Sequence, residues 1–153
     1  MKKYAIHPLK WEHPEVQRLI QELDRELYEK YPAEEVFVVD HSQAAGKELI
    51  YQVAFDGETA IGCGTIQVWQ PGEVELKRFY VAPAYRNQGV AARILKMLEN
   101  EAREQGKHTI KLETGDQQTE AIGFYEKHGF QPIERFGAYA DCPSSVCFQK
   151  RLR

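Results

Sequence analysis

A strand, a tight turn and a helix follow one another directly in the middle of this chain of 153 residues. Residues 73–80 read as a strand and residues 93–105 as a helix. Between them, residues 81–92 have the sequence Val-Ala-Pro-Ala-Tyr-Arg-Asn-Gln-Gly-Val-Ala-Ala. A helix N-terminus presents unpaired NH groups and the positive end of the helix dipole. This turn is therefore suited to receive a phosphate or pyrophosphate.

The side chains of the turn fit that interpretation. Gly89, Ala91 and Ala92 keep bulk away from the mouth of the helix, and Arg86 adds a permanent positive charge at its rim. An ordinary strand-to-helix connection is the alternative, and the turn alone does not decide between the two.

The whole chain alternates strands and helices without a linker. Strands are predicted at residues 3–8, 48–55, 59–69, 73–81, 108–113, 130–135 and 145–152, and helices at 13–30, 87–105 and 118–128. Residues 33–47 are ambiguous, with 36–39 extended. Gly62 and Gly64 inside a strand predict a bulge or close packing against another backbone. Hairpins in the first half and crossover helices in the second predict a mixed sheet in an α/β (α+β) fold.

Length and composition limit the classes of protein. Residues 1–153 have the size of a single domain. The net charge of −3 argues against broad nucleic-acid binding, and no apolar run reaches the ~20 residues of a membrane helix. We expect neither nucleic acid nor membrane as a partner. The N-terminal residues lack the apolar core of an export signal.

The spacing of the cysteines and histidines indicates the redox environment and whether a metal site is present. The three cysteines are odd in number and lack CxxC spacing, which favours a reduced, cytoplasmic protein. The five histidines show no metal-type spacing, so no metal site is predicted.

Two motifs resemble those of one family. Arg86, Gly89 and Ala91 match the acyl-CoA signature of the GNAT superfamily of N-acyltransferases, and residues 118–130 are similar to that family's Asn-x-x-Ala-x-x-x-Tyr-x-x-x-Gly-Phe. The order of elements is also similar to the GNAT fold from end to end. The resemblance implies a mostly antiparallel central sheet of about six to seven strands flanked by three to four helices.

The resemblance also implies a binding site for acetyl-CoA as cosubstrate. Gln118 replaces the family's Asn, which puts its contact with the pantetheine arm in doubt, whereas Tyr125 matches the tyrosine near the thioester sulfur. A tyrosine hydroxyl can protonate the departing thiolate. The implied acetyl-CoA-binding residues are Phe79, Val81, Arg86, Asn87, Gln88, Gly89, Val90, Ala91, Ala92, Gln118 and Tyr125.

The sequence leaves several candidates for the base that removes the proton of an amine. Strand alternation puts Glu75, Lys77, Phe79 and Val81 on one side, and Glu75 lies where family members often carry a catalytic Glu. Glu75 could instead be a partner of Lys77. Glu73, Glu113 at the end of the next strand, and a water relay stay open.

A loop near the C-terminus is the candidate acceptor site. Phe136, Tyr139 and Asp141 lie in it, and we expect them to face residues 28–39 across an amine pocket. Asp141 could attract a protonated amine, and the aromatic rings could cover its apolar part. The alternative is a packing loop or a dimer contact, so a homodimer stays open.

The resulting prediction is an N-acetyltransferase that transfers the acetyl group of acetyl-CoA to a primary amine of a small molecule by direct attack on the thioester. The alternatives are an acetyltransferase acting on a protein amine and a non-catalytic acyl-CoA-binding or sensor domain. The tyrosine at position 125 favours the enzyme, because a binding module does not need it.

Overall fold

The computed structural model describes residues 4–43 and 48–153. In chain order its elements are β1 (Ala5–Lys10), α1 (Pro14–Lys30), β2 (Ile50–Asp56), β3 (Thr59–Val68), β4 (Glu73–Val81), α2 (Val90–Glu104), β5 (Thr109–Gly115), α3 (Thr119–Lys127), β6 (Gln131–Ile133) and β7 (Ser145–Arg151). Short 3-10 turns lie at Ala33–Glu35, Pro83–Tyr85 and Gly137–Tyr139.

The strands form one seven-stranded sheet in the order β1-β2-β3-β4-β5-β7-β6. β4 and β5 are parallel, and each other neighbouring pair is antiparallel. A parallel pair needs a long crossover connection, which α2 provides. The predicted mixed, mostly antiparallel sheet flanked by helices is confirmed.

The first helix begins at Pro14, one residue after the predicted start, with His13 as its N-cap. The His13 Nδ1 atom accepts a hydrogen bond from the Glu15 NH at 3.1 Å, and Pro14 occupies the first turn, where its missing NH costs nothing. Val16, Leu19 and Ile20 form the buried stripe, because residues three and four apart share a helix face.

The apolar core lies on both faces of the sheet. On one face, α1 packs against side chains of β2 and β3 such as Tyr51, Val53 and Cys63. On the other face, α2 and α3 cover a second cluster that includes Ile61 and Ile110. Alternating side chains of the same strands supply the two clusters, as the two-residue period of a strand requires.

Several boundaries differ from the prediction by a few residues, and those of α2 and β1 have local reasons. α2 begins at Val90 rather than at residue 87, because Asn87 and Gly89 have φ angles of 63° and 82° and no helix continues through them. β1 extends to Lys10, which pairs with Ile50 of β2. Residues 36–40 form no regular element, and residues 44–47 lie outside the described part.

None of the helices among the described residues is both long and apolar enough to cross a membrane.

Candidate active site

An opening in the sheet separates the second halves of β4 and β5. The two strands pair only where Glu73, Val74 and Glu75 meet residues 109–111. From there β4 continues against β3 and β5 continues against β7. Backbone polar groups along the opening are therefore free of the ladder and can pair with a ligand.

A β-bulge in β4 lies beside this opening. Arg78 and Phe79 together stand opposite the single residue Gly64 of β3, and Arg78 has a φ of 53°. A Cβ atom at Gly64 would lie 2.8 Å from the Phe79 ring, and one at Gly62 would lie 3.1 Å from the backbone carbonyl oxygen of Tyr80. These glycines predicted either a bulge or close packing against another backbone, and the structure has both.

The bulge changes which side chains share a face of β4. Before it, Val74 and Leu76 pack into the core under α2, and after it Phe79 and Val81 do so. The prediction of one continuous row of side chains on a single side is wrong, because the extra residue moves the second half of the row to the other face. The row concerned is Glu75, Lys77, Phe79 and Val81.

A cavity of about 730 Å³ fills the opening and extends on both sides of it. Of the site residues predicted from the sequence, its lining contains Phe79, Val81, Arg86, Asn87, Gly89, Val90, Ala91, Ala92, Gln118, Tyr125 and Tyr139. Glu75, Gln88, Phe136 and Asp141 are not part of the lining. For one wall of the cavity the sequence predicted only a region, residues 28–39. The residues of that region that line the cavity include Tyr31, Glu35, Val36, Phe37 and Val39.

The N-terminus of α2 forms one end of the cavity. Gly89 is its N-cap, and no side chain caps the helix there. A Cβ atom at Gly89 would meet nothing within 4 Å, and residues 89–92 line the cavity, so the open space of the cavity reaches the first turn of the helix. An uncapped helix N-terminus with open space in front of it is suited to an anion.

Arg86 holds this turn in place. Its Nε donates to the Val81 carbonyl at 2.8 Å, and its Nη2 donates to Glu26 of α1 at 2.9 Å. The guanidinium also lies 5.6 Å from the centre of the Tyr80 ring. Arg86 therefore ties the turn to β4 and α1, besides carrying positive charge at the rim.

Tyr125 of α3 lines the cavity. Its ring packs against Phe79, Phe130 and Phe148, with centroids 5.6–6.4 Å away. Among the described residues its hydroxyl makes no hydrogen bond. Burial, and next the charge of Glu113, raise the pKa of Tyr125. The hydroxyl therefore stays protonated and is available as a donor.

Glu75 is buried behind the cavity. The Tyr139 hydroxyl donates a hydrogen bond to the Glu75 carboxylate, and Lys77 Nζ lies 3.6 Å from the same oxygen and 3.4 Å from the Tyr139 hydroxyl. Burial, followed by the negative charge of Glu75, raises the pKa of Tyr139. Tyr139 thus stands between Glu75 and the open space.

Glu113, at the end of β5, does line the cavity. Its Oε2 accepts a hydrogen bond from the Ser145 hydroxyl at 2.6 Å. Burial is the main reason that the pKa of Glu113 is raised, and the charge of Glu75 adds to it, while Ser145 and Lys77 act in the opposite direction. A carboxylate with a raised pKa is a better proton acceptor. Of the acids considered from the sequence, Glu113 therefore has the better position for a base.

Gln118 supports the end of β5. Its side-chain oxygen accepts from the Gly115 NH at 3.0 Å and from the Thr114 hydroxyl at 3.4 Å. The carbonyl end of Gln118 therefore has partners in its own turn. Its amide NH₂ group is the part left for a ligand.

Tyr31 is a cavity residue that no sequence pattern singled out. Its hydroxyl accepts from the Gln117 NH at 2.9 Å, and a Cβ atom at Gly115 would lie 1.9 Å from that hydroxyl oxygen. Gly115 therefore provides the space for Tyr31. The sequence located Tyr31 only as part of residues 28–39, because contacts across more than 80 residues leave no local pattern.

Arg78 was also missed. It lines the cavity from the α1 side and is only 7% exposed. The residues next to it in the sequence do not indicate that it is buried there. No role was predicted for position 78 from the sequence.

The C-terminal loop contributes only part of what was expected of it. Tyr139 is buried and packs edge-on against Phe37, with ring centroids 4.8 Å apart. Phe136 packs against Trp69 and Tyr139 outside the cavity lining. Asp141 is exposed and outside the lining, which removes the basis for assigning it to the acceptor amine.

No group of three or more His, Cys, Asp or Glu side chains suited to a metal ion is found in residues 4–43 and 48–153.

Known proteins share both the sequence and this architecture. The model of the acetyltransferase (GNAT) family matches residues 16–130. A protein of Azospirillum brasilense named IAA acetyltransferase is 38% identical over 138 residues, which are 90% of each chain. A structure from Klebsiella pneumoniae described as an acyl-CoA N-acyltransferase is 32% identical, with a TM-score of 0.85 over 98% of each chain.

A more distant structure shares the fold alone. A GNAT family acetyltransferase from Elizabethkingia anophelis, solved with acetyl-CoA bound, is 20% identical, with a TM-score of 0.71 over 99% of this chain and 100% of its own. The family model spans most of the chain, and the two relatives above 30% identity described here cover nearly all of it. The chain belongs to the GNAT family of acetyltransferases.

Proposed function

We propose that this acetyltransferase moves the acetyl group of acetyl-CoA to the primary amine of a small molecule, with Glu113 as proton acceptor and Tyr125 as proton donor. The observation that carries the proposal is the cavity between β4 and β5. One cavity contains an uncapped helix N-terminus, a tyrosine hydroxyl without a partner among the described residues, and a carboxylate with a raised pKa.

The fit of acetyl-CoA rests on the α2 end of the cavity. NH groups of Val90, Ala91 and Ala92 would hold the pyrophosphate, with Asn87 and Gly89 shaping the turn. The free backbone edge at Phe79 and Val81 would pair with the amide groups of the pantetheine arm. The Gln118 amide and the rings of Phe79 and Tyr125 lie along the same path.

The chemistry needs two proton transfers. Acetyl-CoA supplies a thioester, whose carbon–sulfur bond breaks as the amine nitrogen forms the new amide bond. The amine, which is mostly protonated near pKa 10.4, first loses one proton to solvent and attacks in its neutral form. Glu113 then takes the second proton, which the nitrogen releases as the amide bond forms. Tyr125 gives its proton to the departing sulfur. Water then returns a proton from Glu113 to Tyr125, and the products are the N-acetylated amine and CoA with a free thiol.

Mutation of Gly89 tests the binding of acetyl-CoA. Gly89→Glu should weaken binding about tenfold or more, because like charges about 4 Å apart repel by roughly 1–4 kcal/mol near a protein surface. Titration calorimetry with acetyl-CoA measures this. Gly89→Ala is the matched control, since it carries the same strain at a φ of 82° without the charge. Equal affinities of Gly89→Glu and Gly89→Ala would place the pyrophosphate elsewhere.

A panel of amines tests the reaction itself. Purified protein is incubated with acetyl-CoA and each of a set of amino acids, polyamines, aminoglycosides and a peptide with a free N-terminus. Release of free thiol is followed with a colorimetric reagent, and the acetylated product is identified by mass spectrometry. We expect transfer to small primary amines. Transfer to the peptide alone would favour a protein acceptor, and binding of acetyl-CoA without any transfer would contradict the proposal.

A further inference from the structure

A buried guanidinium lies on the α1 side of the cavity. Arg78 Nη2 donates to the Asp24 carboxylate of α1, and Nη1 donates to the Phe37 carbonyl at 3.2 Å. The Nε atom is buried and has no partner among the described residues. A guanidinium has five N–H donors, so these contacts leave most of its donors unused. Buried cations are normally paired and hydrogen-bonded, which makes this arrangement incomplete.

The β4 bulge is what directs Arg78 to this position. With regular alternation, position 78 would follow Val74 and Leu76 into the apolar core under α2. The bulge turns it to the opposite face and gives it a φ of 53°. For a side chain of this size such a φ is strained, and strain of this kind concentrates at functional sites. Bulges beside active sites commonly redirect one side chain in this way.

Neighbouring residues of β4 therefore serve opposite sides of the opening. Phe79 packs against Tyr125, on the side proposed for acetyl-CoA. Arg78 lines the other side with Phe37 and Glu35. An acceptor whose amine reaches Glu113 from that side would lie against the Arg78 guanidinium.

The chemistry of the unused donors indicates an anion. The planar guanidinium matches the two oxygens of a carboxylate. Glu35 and Glu113 also line the cavity, so a singly charged group fits it better than a phosphate dianion. We propose that Arg78 binds a carboxylate of the acceptor, and that the acceptor is an amino acid or a similar amine that also carries a carboxylate. This inference rests on the proposed function and names its substrate class.

A purely structural role for Arg78 makes a different prediction. As a clamp between α1 and β4, its replacement would lower stability and reduce transfer to every amine alike. As a carboxylate anchor, its replacement would act on carboxylate-bearing acceptors and leave their uncharged analogues nearly unchanged. The ratio between two such acceptors therefore separates the roles.

The experiment uses the L-amino acids and their carboxamides as matched pairs, with acetyl-CoA and free-thiol detection. For wild type we expect kcat/KM to favour the acid over the amide. Arg78→Gln should lower that ratio about 10–100-fold through KM, given what hydrogen bonds to charged groups contribute. Arg78→Lys keeps the positive charge but lacks the paired N–H donors of the guanidinium, so it should lower the ratio less. Arg18→Gln is the matched control, because Arg18 also ties α1 to the sheet, donating to the Ala60 carbonyl at 2.6 Å outside the cavity.

Two results would overturn the inference. One is a wild-type enzyme that acetylates the amides as well as the acids, a measurement that needs no variant. The other is an equal loss for acid and amide in Arg78→Gln or Arg78→Lys. Both differ from failure of the proposed function, in which acetyl-CoA binds and no amine of either kind releases the thiol.

Discussion

Replacing Tyr125 with Phe should lower kcat by about 10²–10⁴-fold, the usual contribution of a general acid. The ring contacts with Phe79, Phe130 and Phe148 remain in this variant, so the folded structure and acetyl-CoA affinity should change little. Within the described part of the chain, the hydroxyl makes no hydrogen bond that its removal would break. The rate is measured with an acceptor from the amine panel, and affinity by calorimetry.

Tyr51→Phe provides the control for removing a buried tyrosine hydroxyl. The Tyr51 hydroxyl lies 2.6 Å from His41 Nε2, and Tyr51 is outside the cavity lining. We expect this variant to lose stability and keep its kcat. If Tyr125→Phe kept the wild-type rate, Tyr125 would be a packing residue and another group would protonate the sulfur.

Acetyl donors with different leaving groups sharpen this test. An acetyl thioester whose thiol has a lower pKa needs less help from a proton donor, because its thiolate is a better leaving group. The loss caused by Tyr125→Phe should therefore be smaller with such a thioester than with acetyl-CoA. A loss of equal size would indicate that the hydroxyl acts on something other than the departing sulfur.

Local sequence signals were sufficient for the turn and for the order of elements. The turn before α2 depends on Gly89, on small neighbours and on the change from strand to helix period, all within residues 73–105. The helix at residues 13–30 and the glycine pair Gly62 and Gly64 are equally local signals. Each of these features depends on residues a few positions apart, which a single sequence displays directly.

The inner arrangement of the site could not be predicted in the same way. The hydrogen bond between Tyr139 and Glu75 joins residues 64 apart, and the pair of Arg78 and Asp24 joins residues 54 apart. The bulge also moves the side chains in the second half of β4 to the opposite faces of the sheet. In the sequence, only the two glycines of β3 indicated a bulge. Regular alternation placed Glu75 toward the cavity, whereas the fold covers it with Tyr139 and leaves Glu113 to line the open space.

Replacing Glu113 with Gln should lower kcat by about 10²–10⁴-fold and remove the acid limb of the kcat–pH profile. A base works only when deprotonated, so activity rises as pH increases through its pKa. Burial and the charge of Glu75 raise the pKa of Glu113, so this limb should lie at higher pH than that of an unperturbed carboxylate. Two acceptors whose amines differ in pKa identify the limb, because the limb of Glu113 stays in place while that of the amine moves.

Glu75→Gln distinguishes the two candidate bases. If Glu113 is the base, loss of the neighbouring negative charge lowers its pKa, so the acid limb should move to lower pH while the maximal rate is largely kept. The glutamine carbonyl of this variant can still accept the hydrogen bond of Tyr139, so the buried contact is preserved. If Glu75 is the base, the same variant should itself lose about 10²–10⁴-fold in kcat. A large loss in Glu75→Gln together with normal activity in Glu113→Gln would reverse the assignment, with Tyr139 then relaying the proton from the cavity to Glu75.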